Sequence, residues 1–192
     1  KLDLPKEAPI TQPVEKEVLG PDAERVALAW RFPGVSDKDF EILQVVSQVL
    51  YNGKAGLIDL DLNQQQKVLN SYGYPMGLAD YSAFILGGLP KQGQTLEEVK
   101  DLLLNEIKKL RAGEFDEKML QANINNFKLY ELQSMESNEG RADIFVNSFI
   151  NGTNWEDEVT AIDRMAKLTK EDIVAFADKY LKEDNYAVVY KK

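Results

Sequence analysis

Apolar and small positions alternate at Val26, Leu28, Trp30 and Phe32, which are separated by Ala27, Ala29 and Arg31. A period of two gathers the bulky side chains on one face, so this segment predicts a strand with a single core-facing side, ended by Pro33 and Gly34. The period then lengthens. Phe40, Leu43, Val46 and Leu50 recur at helical spacing behind Ser36, with Asp37 and Asp39 where the positive end of a helix favours acids. This predicts a helix to Tyr51, broken by Asn52-Gly53-Lys54-Ala55-Gly56. The LIDLDL run that follows suits a short helical piece, and polar residues fill Asn63 to Lys67. Val68–Tyr74 and Ser82–Leu89 predict two strands joined by a turn containing Pro75, Gly77 and Asp80, which makes a hairpin the simplest reading.

The second half reads as helical. Thr95 and Glu98 form a capping box ahead of Leu96, Val99, Leu103, Ile107 and Leu110, and Asp116 is placed to cap a helix carrying Leu120, Ile124 and Phe127. Shorter helices are predicted over about 140–150 and 155–165. Thr169 and Asp172 open a last helix with Ile173, Phe176, Ala177, Tyr180 and Leu181, and Tyr186–Tyr190 predicts a closing strand. This order implies an α+β domain, a mixed or antiparallel sheet with helices packed on one face. Residues 1–22 carry Pro5, Pro9, Pro13 and Pro21 without apolar periodicity and predict an extended linker from a preceding domain, with 23–192 as one α+β domain. A start at Lys1 within such a stretch reads as part of a longer polypeptide.

Composition narrows the chemistry. The 192 residues are 44% hydrophobic and 29% charged, which is ordinary globular usage. A net charge of −9 with scattered basic residues argues against a nucleic-acid partner, and no apolar run approaches a membrane span. The absence of cysteine leaves the compartment open, so bacterial periplasm and cytoplasm both remain. The chain has no histidine, so neither an imidazole-ligated zinc nor a triad with an imidazole base can be built from it. No catalytic or metal-ligating residue is expected.

Several patterns are better explained structurally. Asp59, Asp61 and Asn63 have the spacing that opens a calcium loop, but Gln64 stands where glycine is required and Asn70 where the bidentate glutamate belongs, leaving a solvated helix face as the expectation. Asn151-Gly152-Thr153 is a formal sequon read as a turn. Glu97 with Glu98, and Glu156, Asp157 and Glu158, sit in first helical turns where the dipole favours them. Trp30 and Trp155 are read as core and cap packing.

The strand ERVALAWRFPG, the helix DFEILQVVSQVL, the loop NGKAGLIDLDL, the hairpin ending FILGGLP, the helices TLEEVKDLLLNEIKKLRAGEFDEKML and the closing LTKEDIVAFADKYLKEDNYAVVY, in that order, resemble one half-unit of the pitrilysin/insulinase family of zinc metallopeptidases. In that family's catalytic domain the first helix bears a His-x-x-Glu-His motif, which this chain lacks. The resemblance therefore implies a companion domain, of the second, C-terminal type, that walls a proteolytic chamber and helps bind peptide. Zinc would belong to the parent protein, and the partners implied are the preceding catalytic domain and the second half of the same protein or a partner subunit. Gly53 and Gly56 would let the backbone turn sharply in the family's loop, where Gly56 matches a glycine typical of that position. The arginine and tyrosine that hold substrate in active-site partner domains fall at Asn63 and Asn70, so that role is not implied. In insulin-degrading relatives a strand edge of the second domain receives the substrate's N-terminal end. The matching segment is Leu69, Asn70, Ser71, Tyr72, Gly73 and Tyr74, unless it is merely a hairpin strand packed inside the sheet. A scaffold subunit without proteolytic activity, or an unrelated peptide-binding α+β domain, are the alternatives.

Overall fold

The computed structural model describes residues 7–192 and contains one five-stranded sheet. Its strands are β1 (Val14–Val18), β2 (Arg25–Pro33), β3 (Asn70–Met76), β4 (Tyr81–Leu89) and β5 (Tyr186–Lys191), in the spatial order β1-β5-β2-β4-β3. Only the β1–β5 pair is parallel. The helices are α1 (Lys38–Leu50), α2 (Leu96–Arg111), α3 (Lys118–Met135), α4 (Asn138–Asn151), α5 (Trp155–Met165) and α6 (Lys170–Tyr180), with one π-helical turn over Asp59–Asn63. The expected α+β architecture, a mixed sheet with helices against one face, is what the chain adopts.

The alternation in β2 explains the layering. Val26, Leu28, Trp30 and Phe32 are buried beneath the helices, while Ala27, Ala29 and Arg31 on the opposite face stay partly open. Registers to β4 and β5 continue each row, so Phe84, Leu86, Val188 and Tyr190 share the covered face. α1, α2 and α6 supply the cover through Leu43, Val46, Leu50, Val99, Leu103 and Phe176. Burying such side chains is worth about 1.5–3 kcal/mol each, which makes this layer the main source of stability.

The helix ends follow local chemistry. Asp37, rather than Ser36, caps α1 by accepting the Asp39 N–H at 2.8 Å. The capping box ahead of α2 forms in both directions, with Thr95 Oγ1 accepting from Glu98 N at 3.1 Å and Glu98 Oε2 accepting from Thr95 N at 2.8 Å. Before α3, Asp116 Oδ1 accepts from Lys118 N at 2.9 Å. Within the stretch 1–22, expected to run as an extended linker, Val14–Val18 instead forms the outer strand β1; residues 1–6 lie outside those described. Its five residues are all exposed, so no buried face marked it in the sequence, and its pairing with β5 joins segments far apart in the chain. Pro75 lies inside β3 rather than in the turn.

Thr95→Ala removes one direction of the capping box and is expected to cost about 1 kcal/mol, read as a lower urea midpoint with an unchanged slope.

Candidate functional site

Two residues of the first loop need glycine for different reasons. Gly53 has φ +77, a left-handed conformation that L side chains rarely adopt, while a Cβ at Gly56 would come within 2.6 Å of the Leu50 carbonyl oxygen. The loop between them is held by side chains. Asn52 Oδ1 accepts from Lys54 N and Ala55 N, and Asp59 Oδ2 accepts from Asn52 N and Gly56 N, both at 3.0 Å. Asp59 is therefore buried and satisfied, and the solvated face expected for Asp59, Asp61 and Asn63 is not present. Instead the π-helical turn points each polar group at a structural partner.

Asp61 receives the Lys109 ammonium from α2 at 2.5 Å, and the same ammonium reaches Glu106 Oε1 at 2.9 Å. The Lys109 hydrogen bond holds the Asp61 carboxyl below its ordinary value. Burial pushes Glu106 upward despite that contact, and its Oε2 has no hydrogen-bond partner among the described atoms.

Asn63 does something the sequence reading missed. Its side-chain amide spans both backbone groups of Ser71, donating to the carbonyl at 2.9 Å and accepting the N–H at 2.8 Å. Its Oδ1 also accepts the Ser71 hydroxyl at 2.8 Å. An amide that pairs with one residue in both directions imitates a neighbouring strand. It does so on the free side of β3, because β4 lies on the other side and no strand lies beyond β3 among the described residues. The only signal in the sequence was an amide side chain a few residues before a strand, which is too common to stand out.

The segment Leu69–Tyr74 thus lies at a sheet edge, with Leu69 exposed just before β3. Side chains alternate along it. Ser71 and Gly73 face the helices, while Tyr72 and Tyr74 lie on the open face with ring centroids 6.2 Å apart. Asn70 begins the strand opposite Leu89 and is exposed. Backbone groups alternate too, so Gly73 and Pro75 turn theirs to the same free side as Ser71. Proline has no N–H to offer there, which suits an edge. The Tyr72 ring lies across Gly87 of β4, where a Cβ would come within 2.3 Å of the ring. Small residues Ala27, Ala29, Ala83 and Ala187 line the open face beyond it. At its far end Arg31 stands over the Tyr81 ring at 5.1 Å and donates to the Ala8 carbonyl at 2.6 Å.

The described residues do not fit a hydrolytic zinc. With no imidazole or thiolate in the chain, only carboxylates could serve as anionic donors, and no group of three or more is placed for a metal among the described residues. α1 turns Leu43, Val46 and Leu50 into the core, and its acids Asp39 and Glu41 are paired with Lys179 and Arg164.

These features make a mixed α+β sheet covered by helices on one face, with a free edge at β3. Residues 1–127 match the family described as the Peptidase M16 inactive domain, and the chain belongs to that family. This agrees with the resemblance to pitrilysin/insulinase non-catalytic domains. The chain is 27% identical over 178 residues to a protein named zinc protease PqqE from Helicobacter pylori, covering 90% of this chain and 39% of that protein. A protease structure from Helicobacter pylori superposes with a TM-score of 0.90 at 22% identity, over 97% of this chain and 46% of that one. A peptidase M16 inactive domain from Pseudomonas fluorescens gives a TM-score of 0.82 at 13% identity, covering all 100% of this chain and 45% of that one. The chain therefore spans less than half the length of these relatives.

Two outcomes are expected. Asn63→Ala strands the buried Ser71 groups and is expected to lower stability by about 1–3 kcal/mol, measured by urea unfolding. Glu106→Gln tests the buried carboxylate. A folded-state value above the unfolded one means that the contribution of Glu106 is most favourable below the unfolded value of about 4.3 and is lost as pH rises through the folded value. The variant should thus gain stability relative to the wild type as pH rises from about 4 to about 8, measured by urea unfolding across that range.

Proposed function

We propose that this chain is the non-catalytic domain of a zinc metalloendopeptidase, walling part of a proteolytic chamber and receiving extended peptide at the edge of β3. The observation that carries the reading is membership of the inactive-domain family in a chain without histidine. Zinc, the attacking water and the general base then belong to the catalytic domain of the parent protein. The similarity to a protein named as a zinc protease supports that assignment.

The β3 edge supports the binding role. An added strand would pair with the Gly73 N–H and C=O and with the Pro75 carbonyl, gaining affinity from backbone groups that every peptide has. Tyr72 and Tyr74 would flank its side chains, and the flat ring of Tyr72 over Gly87 leaves the open face shallow beside the edge. Asn63 already occupies Ser71, so pairing would run from Gly73 towards Met76. Residues 14–192, β1 included, would form the body of this domain, with the stretch before β1 arriving from the catalytic neighbour.

The test combines this chain with the preceding domain of its polypeptide. Hydrolysis of an unstructured casein digest should require both parts, vanish with a chelator and return with zinc. Chelator-sensitive proteolysis by the rigorously purified 192-residue chain would refute the reading, and intact association without any hydrolysis would favour a scaffold. In the active pair, Tyr74→Ala should raise KM by about three- to tenfold with little change in kcat, as expected when uniform substrate binding is weakened.

A further inference from the structure

α4 carries its bulk on the side opposite to the one that packs. Between Asn138 and Ile150 only Gly140, Ile144 and Ser148 are withdrawn from solvent, a thin stripe repeating every fourth residue. At Gly140 the helix presses on the end of α3, where a Cβ would come within 1.9 Å of the Ser134 carbonyl oxygen. The large apolar side chains Phe145, Val146, Phe149 and Ile150 all face outward, and Phe149 is 88% exposed. An amphipathic helix in an isolated domain would turn that face inward.

The apolar surface continues onto α5. Trp155, expected as cap packing, is exposed and stacks on Phe145 with ring centroids 4.5 Å apart. Beside it a groove of about 340 Å³ is lined by Tyr130, Ile144, Trp155 and Val159. Contiguous exposed apolar patches on soluble proteins mark interaction surfaces.

Its rim is acidic. Glu131 and Glu158 line the groove, and Glu139, Asp143 and Glu156 are exposed on α4 and the first turn of α5, whereas the α4 cation Arg141 is folded back onto the Met135 carbonyl and the Asn138 side chain, each at 2.5 Å. A second copy meeting this face about a twofold axis would set these acids against themselves. The complementary partner is an apolar strip edged with lysine or arginine. Relatives matched along 90% and 97% of this chain are more than twice its length, so such proteins carry further chain that could supply one.

We infer that the outer face of α4 and α5 is the surface on which the catalytic domain of the same polypeptide docks, through an apolar strip with a basic rim. This rests on the function proposed above. The domain pair is thereby assembled on this helical face, away from β3, whose edge stays available to peptide.

The test uses the full-length polypeptide and hydrogen exchange read by mass spectrometry. Amides of α4 should be protected in the wild type and exchange at least tenfold faster in the double variant Phe149→Glu, Ile150→Glu. A segment of the catalytic domain should lose protection in parallel. Unchanged exchange in β2 and α2 would show that this domain's own fold is intact. α4 exchanging as fast in the wild type as in the variant overturns the inference. So does protection that disappears on dilution, which indicates a second copy, or protection that appears only when the casein digest is added, which indicates a substrate surface. Chelator-sensitive hydrolysis measured on the same samples separates the two readings. Hydrolysis with α4 unprotected defeats only the docking surface, and protection without hydrolysis supports the docking surface while counting against the catalytic parent.

Discussion

Burial of one face of β2 is the constraint from which the other features of this domain follow. Val26, Leu28, Trp30 and Phe32 point the same way from the centre of the sheet, and that row must be shielded from water. β4 and β5 extend it on either side, and α1, α2 and α6 close over it. Phe32 stacks on Phe176 of α6 at 5.7 Å, and the Trp30 indole donates to the Lys182 carbonyl at 3.1 Å, so the last helix and the turn after it are tied to the first core strand. The end of the chain returns to its beginning through β5, and β1 adds to β5 from outside.

A sheet covered on one face has two surfaces to spare, an open face and an edge, and the chain treats them differently. On the open face Ala27, Ala29, Ala83 and Gly87 sit among larger residues such as Ile85 and Val189, and the Tyr72 ring lies flat across the glycine. At the β3 edge it satisfies Ser71 with the Asn63 amide and removes an N–H by placing Pro75 there. An uncovered edge is a template for unwanted pairing, and these devices leave only a short stretch around Gly73 open. The polar residues of the π-helical turn make this possible, since Asp59 pins the loop, Asp61 anchors it to α2 through Lys109, and Asn63 reaches the strand.

The helical layer answers to a different demand. α4 turns Gly140, Ile144 and Ser148 towards its own domain and adds the stack of Phe145 on Trp155, while Val146, Phe149 and Ile150 stay exposed. One chain thus presents a partly open backbone edge at β3 and an exposed apolar side-chain face on α4.

By itself the sequence determined what local periodicity and composition can encode. The alternation around Trp30, the helical stripes from Phe40 and Leu96, the Thr95–Glu98 box and the hairpin before FILGGLP are short-range patterns, and their order was enough to place the chain among peptidase companion domains. The lack of imidazole settled that it could not itself build that family's zinc site. Tertiary structure alone decided what depends on residues distant in the chain or on which face meets water. Val14–Val18 becomes a strand only because β5 is there to pair with it. Asn63 becomes a surrogate strand only because the π-helical turn aims it at Ser71. Phe149 is revealed as exposed only once α4 is seen to pack through its opposite side. Periodicity reports that a helix has an apolar face, but which neighbour covers that face is fixed by packing in three dimensions.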